Sequence, residues 1–304
     1  SGEYKRLCEH FVRTGAAPSR DRFGSAAQTA RKSLEVLRVE RLFLPELESS
    51  YRACTRSIFR TRGANCGEVP DCGALRSQDV LGLNEVFLYH GCQMENLDAI
   101  IQHGFDPSRG GERSGRLFGR GTYFADTATK ADTFAGSLHG ERCLIVAQVV
   151  LGKVHPAMQA MPGLECLPSD AQGEARAFDS VLGENAAHGG VLDHREYIVY
   201  RREQTLPRYI LWYLHTKACN CFRCSVAAKR DYRPLSLPPL PGLVQRSSSP
   251  AEEEADGHSS RCDSTAGEAA AALVATEAEA LPNSDSAAVE CLPCVGFPTW
   301  AAAA

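Results

Sequence analysis

Arg142-Cys143-Leu144-Ile145-Val146-Ala147-Gln148-Val149-Val150-Leu151 decides how this chain folds. Apart from Arg142 and Gln148 the run is apolar, and it holds no glycine or proline. A strand that is apolar on both faces is covered on both, so it belongs at the centre of a sheet. Weaker strand signals lie on either side of it. Ser33 to Phe43 largely alternates, which suits a half-buried strand. Glu85-Val86-Phe87-Leu88-Tyr89-His90 ends at Gly91, and Thr122 to Ala125 is short. Glu196 to Tyr200 and Arg208 to Leu214 follow the central run. Helical signals fall between these strands. Residues 1–32 show helical periodicity around Leu7, Phe11 and Val12. Leu44-Pro45 opens a helix through about Arg60, with proline where a missing N–H is harmless. Met94 to His103 is closed by Gly104 in a C-cap position. Thr127 to Ala135 has Asp126 as its expected N-cap. The fold class is α+β, mostly strand, with short helices at the periphery.

The chain has 304 residues, 43% hydrophobic and 23% charged, the balance of a globular protein. Its net charge of −4 hides an asymmetry: residues 245–304 carry −8 and residues 1–244 carry +4. The mildly basic front suits an anionic ligand. No apolar stretch reaches the length of a membrane span, so no membrane partner is expected. With no secretory signal at Ser1-Gly2-Glu3-Tyr4-Lys5, the 13 cysteines are expected to be reduced thiols of an intracellular protein, nuclear or cytoplasmic. Four segments are expected. They are an N-terminal extension at 1–32, a folded domain at 33–216, a Cys/Pro-rich linker at 217–242 and a low-complexity acidic, disordered tail at 243–304.

Three residues at strand edges stand out: His90, Tyr123 and Glu196. Singly, each has an ordinary explanation as a structural histidine, a sheet tyrosine and a solvated edge charge. Together with their neighbours they form three motifs: Leu88-Tyr89-His90-Gly91-Cys92; Phe118-Gly119-Arg120-Gly121-Thr122-Tyr123-Phe124-Ala125-Asp126; and Glu196-Tyr197-Ile198-Val199-Tyr200 leading through Gln204 and Pro207 to Tyr209-Ile210. The set resembles the catalytic domain of the poly(ADP-ribose) polymerase family of ADP-ribosyltransferases over roughly residues 33–216. Gly104-Phe105, Leu151-Gly152-Lys153 and Asp179-Ser180-Val181 are lesser echoes of it.

The resemblance implies a mostly antiparallel split-sheet ADP-ribosyltransferase fold and a protein ADP-ribosyltransferase that consumes NAD as co-substrate. Cleaving the nicotinamide–ribose bond builds positive charge on the ribose, which a nearby carboxylate stabilises. By resemblance Glu196 is that carboxylate, and Lys130 is an active-site lysine. His90 would hold the adenosine ribose, the Gly91 backbone would meet the nicotinamide carboxamide, and Tyr123 and Phe134 would flank the nicotinamide ring. The Gly/Ser/Arg-rich loop 106–120 would cover the dinucleotide, with Arg109, Arg113 and Arg116 as candidates for its phosphates. Acceptors would be proteins, including the serines and glutamates of this chain's own tail. A glutamate in the third motif permits chain elongation without requiring it, and the acceptor loop from about His155 to Gly190 sets that choice. About thirty residues precede the first strand, too few for the family's helical regulatory domain, so no DNA-dependent activation or direct DNA binding is expected.

Two departures weaken the nicotinamide pocket. Cys92 stands where the family has Ser or Thr. Ala131 stands where a serine hydrogen-bonds the nicotinamide amide, a loss on the order of 1 kcal/mol. These departures leave a silent NAD- or ADP-ribose-binding module as the alternative to an enzyme, and an interaction scaffold built on the tail as a third reading. Cys219-Asn220-Cys221-Phe222-Arg223-Cys224 resembles half a zinc site, whose fourth ligand would have to come from His258, Cys262, Cys291 or Cys294 in the tail. The expectation is therefore a cluster of reduced surface thiols without metal. Leu237-Pro238-Pro239-Leu240-Pro241 offers a ligand for SH3-type domains.

Overall fold

The computed structural model describes residues 2–20, 29–30, 32–64, 66–67, 69, 73–77, 81–110, 116–164, 167, 177–227 and 288–292. All of them belong to one unit, residues 1–235 with 287–304. In chain order the elements are α1 (Gly2–Gly15), β1 (Ser19–Arg20), β2 (Thr29–Ala30), β3 (Leu34–Phe43), α2 (Pro45–Arg62), β4 (Leu75–Arg76) and β5 (Glu85–His90). There follow α3 (Leu97–His103), β6 (Thr122–Phe124), α4 (Ala128–Asp132), β7 (Ser137–Leu138) and β8 (Glu141–Val150). The last are β9 (Val154–Ala157), β10 (Ser180–Gly183), β11 (Glu196–Val199), β12 (Thr205–His215), α5 (Phe222–Ala227) and β13 (Ala288–Leu292).

The apolar run becomes β8, buried between β12 and β5 in a sheet ordered β13-β3-β12-β8-β5-β4, with β7 paired to β8. Every pairing in it is antiparallel. A smaller sheet runs β6-β11-β10-β9, antiparallel except between β9 and β10. The sheets meet at one bridge, where Tyr89 and Ala125 exchange backbone hydrogen bonds of 2.8 and 2.9 Å. His90 directly follows this bridge at the end of β5, and Tyr123 lies two residues before it in β6.

Leu7 and Phe11 of α1 join Tyr89, Leu144, Leu211 and Tyr213 in the main core. The segment set apart as an N-terminal extension thus packs into the domain, while Val12 faces out. Thr14 at the end of α1 also does a capping job. Its hydroxyl accepts from the Ala128 N–H at 3.1 Å, satisfying an orphan donor in the first turn of α4. Asp126, the expected N-cap, is buried instead and accepts from the Tyr197 hydroxyl at 3.3 Å. Thr127 precedes the helix and makes no side-chain cap bond.

Two strands fall inside the segment expected to be an acceptor loop. Val154–Ala157 and Ser180–Gly183 pair in parallel, and each is too short to carry a period. A polar clasp holds them to the main sheet. The Gln204 amide donates to the carbonyls of Val150 and Asp179, both at 3.0 Å. Asp179 accepts from the Lys153 N–H at 2.9 Å and from Arg62 at 3.0 Å. Gly152 passes under Asp179 with a φ of +60°, a conformation and a clearance that suit glycine. Two of the lesser sequence echoes, Leu151-Gly152-Lys153 and Asp179-Ser180-Val181, thus meet in this clasp. In the segment expected to be a disordered tail, Ala288–Leu292 pairs along β3 as an edge strand. The proline run and the rest of the tail lie outside the described residues. No described helix is long and apolar enough to cross a membrane.

Candidate active site

A cavity of about 660 Å³ opens where the sheets split. Its walls include Glu196, Lys130, His90, Gly91, Cys92, Tyr123, Ala131, Phe134 and Arg109, while Arg116, also a candidate from the sequence, is not among them. They come from the end of β5, from β6, from α4 and its C-terminal turn, from the start of β11 and from the loop after α3.

Glu196 heads β11 and is only 6% exposed. The preceding residue anchors it: Arg195 forms a buried two-pronged pair with Glu184, at 2.8 and 3.0 Å. Lys130 extends from α4 to Glu196, with Nζ 2.6 Å from Oε1. The same ammonium lies 5.5 Å from the centre of the Phe134 ring, within cation–π range. Phe134 is itself held by the Gln93 amide, which donates to its carbonyl at 3.1 Å.

His90 donates from Nδ1 to the Tyr123 carbonyl at 2.9 Å. A carbonyl only accepts, so the neutral ring carries its proton on Nδ1 and keeps a lone pair on Nε2. Phe105 and Phe124 pack against the ring, with centroids 4.9 and 5.6 Å away. Burial lowers the pKa of His90 below the ordinary histidine value, which favours that neutral form. Gly91 crosses the Ala131 carbonyl so closely that a Cβ would overlap it. Its missing side chain is therefore required by packing against α4, as well as by any ligand.

The Tyr123 hydroxyl is fully engaged: it donates to the Gly119 carbonyl at 2.8 Å and accepts from the Phe118 N–H at 3.0 Å. What Tyr123 offers the cavity is its ring face. Cys92 is buried, and burial pushes its thiol pKa up to about 12, so it is a neutral group rather than a nucleophile. Ala131 is 2% exposed and presents no polar atom beyond the backbone.

The loop arginines divide. Arg116 is tied to its own loop, donating to the carbonyls of Gly110 at 3.1 Å and Ser108 at 3.2 Å. Arg109 lines the cavity from a short 3₁₀ turn, 3.5 Å from Asn96. Arg113 lies outside the described residues. The sequence reading missed Arg202, Asn96 and His103, which also line the cavity. Arg202 is paired with Asp106 at 4.0 Å. Only proximity identifies these residues, since no motif marks them.

A second group of side chains gathers at the end of β12. Cys219, Cys221 and Cys224 surround His215, with their ligand atoms within 4.8 Å of one another. The expected surface thiols are mostly enclosed: Cys219 and Cys221 are buried. The fourth partner is the strand histidine four residues before Cys219, and the tail is not needed to supply it. His258, Cys262 and Cys294 lie outside the described residues.

Comparison with known proteins agrees with this geometry. The family described as poly(ADP-ribose) polymerase catalytic domain matches residues 21–214. The chain is 32% identical over 161 residues to Poly [ADP-ribose] polymerase tankyrase of Caenorhabditis elegans, covering 43% of this chain and 7% of that protein. It is 30% identical over 153 residues to Poly [ADP-ribose] polymerase 2 of Homo sapiens, covering 42% of this chain and 26% of that protein. It is 26% identical over 192 residues to Protein mono-ADP-ribosyltransferase PARP10 of Mus musculus, covering 62% of this chain and 17% of that protein. The matched part is thus about a quarter or less of each relative's length. The split sheets, the cavity between them and the match over most of the domain lead to one assignment: the chain belongs to the poly(ADP-ribose) polymerase catalytic domain family.

Proposed function

We propose that this chain is an NAD-dependent ADP-ribosyltransferase that cleaves the nicotinamide–ribose bond and passes ADP-ribose to protein acceptors, its own tail included. The observation that carries this reading is the Lys130–Glu196 pair, 2.6 Å apart on the wall of the cavity that His90 and Tyr123 also line. The ammonium takes Oε1 and holds the carboxylate in place, leaving Oε2 to accept a ribose hydroxyl. As nicotinamide leaves, positive charge grows on the ribose, and a fixed, buried carboxylate stabilises that charge more than the ground state.

His90, with its Nε2 lone pair, accepts a hydroxyl of the adenosine ribose. Tyr123 and Phe134 present ring faces to the nicotinamide. Arg109, from the loop 106–120, lines the cavity and is available to a phosphate, and Arg202 lines it too. Glu196 supplies the carboxylate that polymer growth requires, and the relatives include proteins named for both polymer formation and single transfer. Incubating the purified chain with labelled NAD and resolving the products on a gel tests the reading. A single shift marks mono-transfer and a ladder marks polymer; label on neither the chain nor an added acceptor refutes transfer. A binding module without turnover is the second reading, favoured by the buried Ala131 and Cys92. It predicts NAD bound without nicotinamide released.

A further inference from the structure

We propose that His215, Cys219, Cys221 and Cys224 bind one zinc ion, which fastens the segment after β12 to the C-terminal end of α4. Nδ1 of His215 lies 3.3 Å from the Cys219 sulfur, 3.4 Å from that of Cys221 and 3.3 Å from that of Cys224. A tetrahedral zinc ion with Zn–S near 2.3 Å and Zn–N near 2.0–2.1 Å sets nitrogen–sulfur edges of about 3.6 Å. The three nitrogen–sulfur distances are already close to that value, and all four atoms lie within 4.8 Å of one another.

The His215 ring cannot accept a hydrogen bond from all three sulfurs. Nε2 of His215 faces the Asp132 carboxylate at 3.0 Å, so Nε2 carries the proton and Nδ1 has one lone pair. One lone pair accepts one S–H, yet three sulfurs converge on it. A metal ion satisfies all four groups at once. Each thiol gives up its proton on binding, and the imidazole coordinates as the neutral base. Three sulfurs and one nitrogen, all from protein and with no position left open, make a structural zinc site rather than a catalytic one.

The surroundings fit this role. Asp132 orients His215 as carboxylates orient metal-binding histidines, and it is itself fixed by the Tyr213 hydroxyl at 2.6 Å and Lys32 at 2.7 Å. Arg223, between two of the cysteines, donates to the carbonyls of Thr133 at 2.6 Å and Ala135 at 3.0 Å. These carbonyls follow α4, the helix that carries Lys130 and Ala131 into the cavity. A loaded site therefore holds the end of that helix from behind, without contacting any ligand in the cavity.

Elemental analysis of the full chain, purified under reducing conditions, is expected to give about one zinc per chain. Cobalt replacement is expected to show the thiolate charge-transfer band and the intense visible bands of a tetrahedral centre. His215→Ala and Cys221→Ser are each expected to lower the metal content to below about a tenth of an ion per chain. Because a ligand variant can lose its fold outright, the unsubstituted chain provides a second readout. Stripping with a chelator should lower its melting temperature, and zinc, but not magnesium, should restore it. The triple variant Cys262→Ser, Cys291→Ser, Cys294→Ser should keep its zinc. A metal-free native chain that melts the same with and without zinc overturns the proposal. Loss of zinc from the triple variant overturns this ligand set. None of these readouts depends on transfer of ADP-ribose, so their failure is distinguishable from failure of the catalytic reading.

Discussion

Replacing Asp132 by asparagine removes a charge on which three side chains converge. The side chain is 1% exposed and accepts from Lys32 at 2.7 Å on one oxygen. On the other oxygen it accepts from the Tyr213 hydroxyl at 2.6 Å and His215 at 3.0 Å. An amide can keep the second pair only by turning its NH₂ toward the Lys32 ammonium, donor against donor. At an effective dielectric constant of about 20, unit charges 2.7 Å apart attract by roughly 6 kcal/mol before desolvation is counted. Lys32 retains the Thr129 carbonyl, also at 2.7 Å, which limits the damage. The net loss is expected at about 3–5 kcal/mol, the usual cost of removing one partner of a buried pair. For a domain of roughly 200 residues this lowers the melting temperature by about 10 °C. Urea unfolding of Asp132→Asn, Lys32→Met and the double variant measures it. The double variant should lose clearly less than the sum of the single losses. A loss below about 1 kcal/mol for Asp132→Asn would refute the reasoning, because a pair of that value behaves as though water-exposed.

Two further outcomes follow from the same geometry. Ala131→Ser places a hydroxyl on the cavity wall and should tighten NAD binding by about 1 kcal/mol, up to roughly tenfold, in a calorimetric titration; unchanged or weaker binding counts against assigning Ala131 to the nicotinamide pocket. Burial depresses the pKa of His10, His90 and His194. Below the ordinary value of about 6.5 the unfolded chain therefore takes up protons that the folded chain does not. Stability should then decline as the pH falls from about 7.5 to 5.5, by up to about 1.4 kcal/mol per pH unit for each such histidine. A urea midpoint that stays level or rises over that range would contradict the burial of these rings.

The sequence shows long-range order only where a local pattern carries it. β3, β5, β8 and β12 have 10, 6, 10 and 11 residues and were legible from alternation or from continuous apolar character. β9 and β10 have four residues each, and Pro156 interrupts the first, so neither shows a period. Asp126 has the residue type and position of an N-cap. The cap is supplied instead by Thr14, 114 residues away, and no local rule foresees that. His90, Gly91, Cys92, Tyr123 and Glu196 stand in the three motifs, while Lys130, Ala131, Phe134 and Arg109 were named from positions outside them; the fold brings all nine to one cavity. Arg202 and Asn96 reach the cavity through the fold alone. His215 lay between these cases: it stands four residues before Cys219, but its place in a long apolar strand concealed its closeness to the three cysteines.

The central claim is that Glu196 drives the breaking of the nicotinamide–ribose bond in a pocket assembled by other residues. Nicotinamide release and NAD affinity, measured side by side for the unsubstituted chain and for Glu196→Gln, test it most directly. The unsubstituted chain is expected to release nicotinamide. The variant is expected to bind NAD within about threefold of the same affinity and to release nicotinamide about 10²–10³ times more slowly, since the carboxylate acts mainly on the transition state. Equal release by the two proteins, or no release by the unsubstituted chain, would contradict that claim.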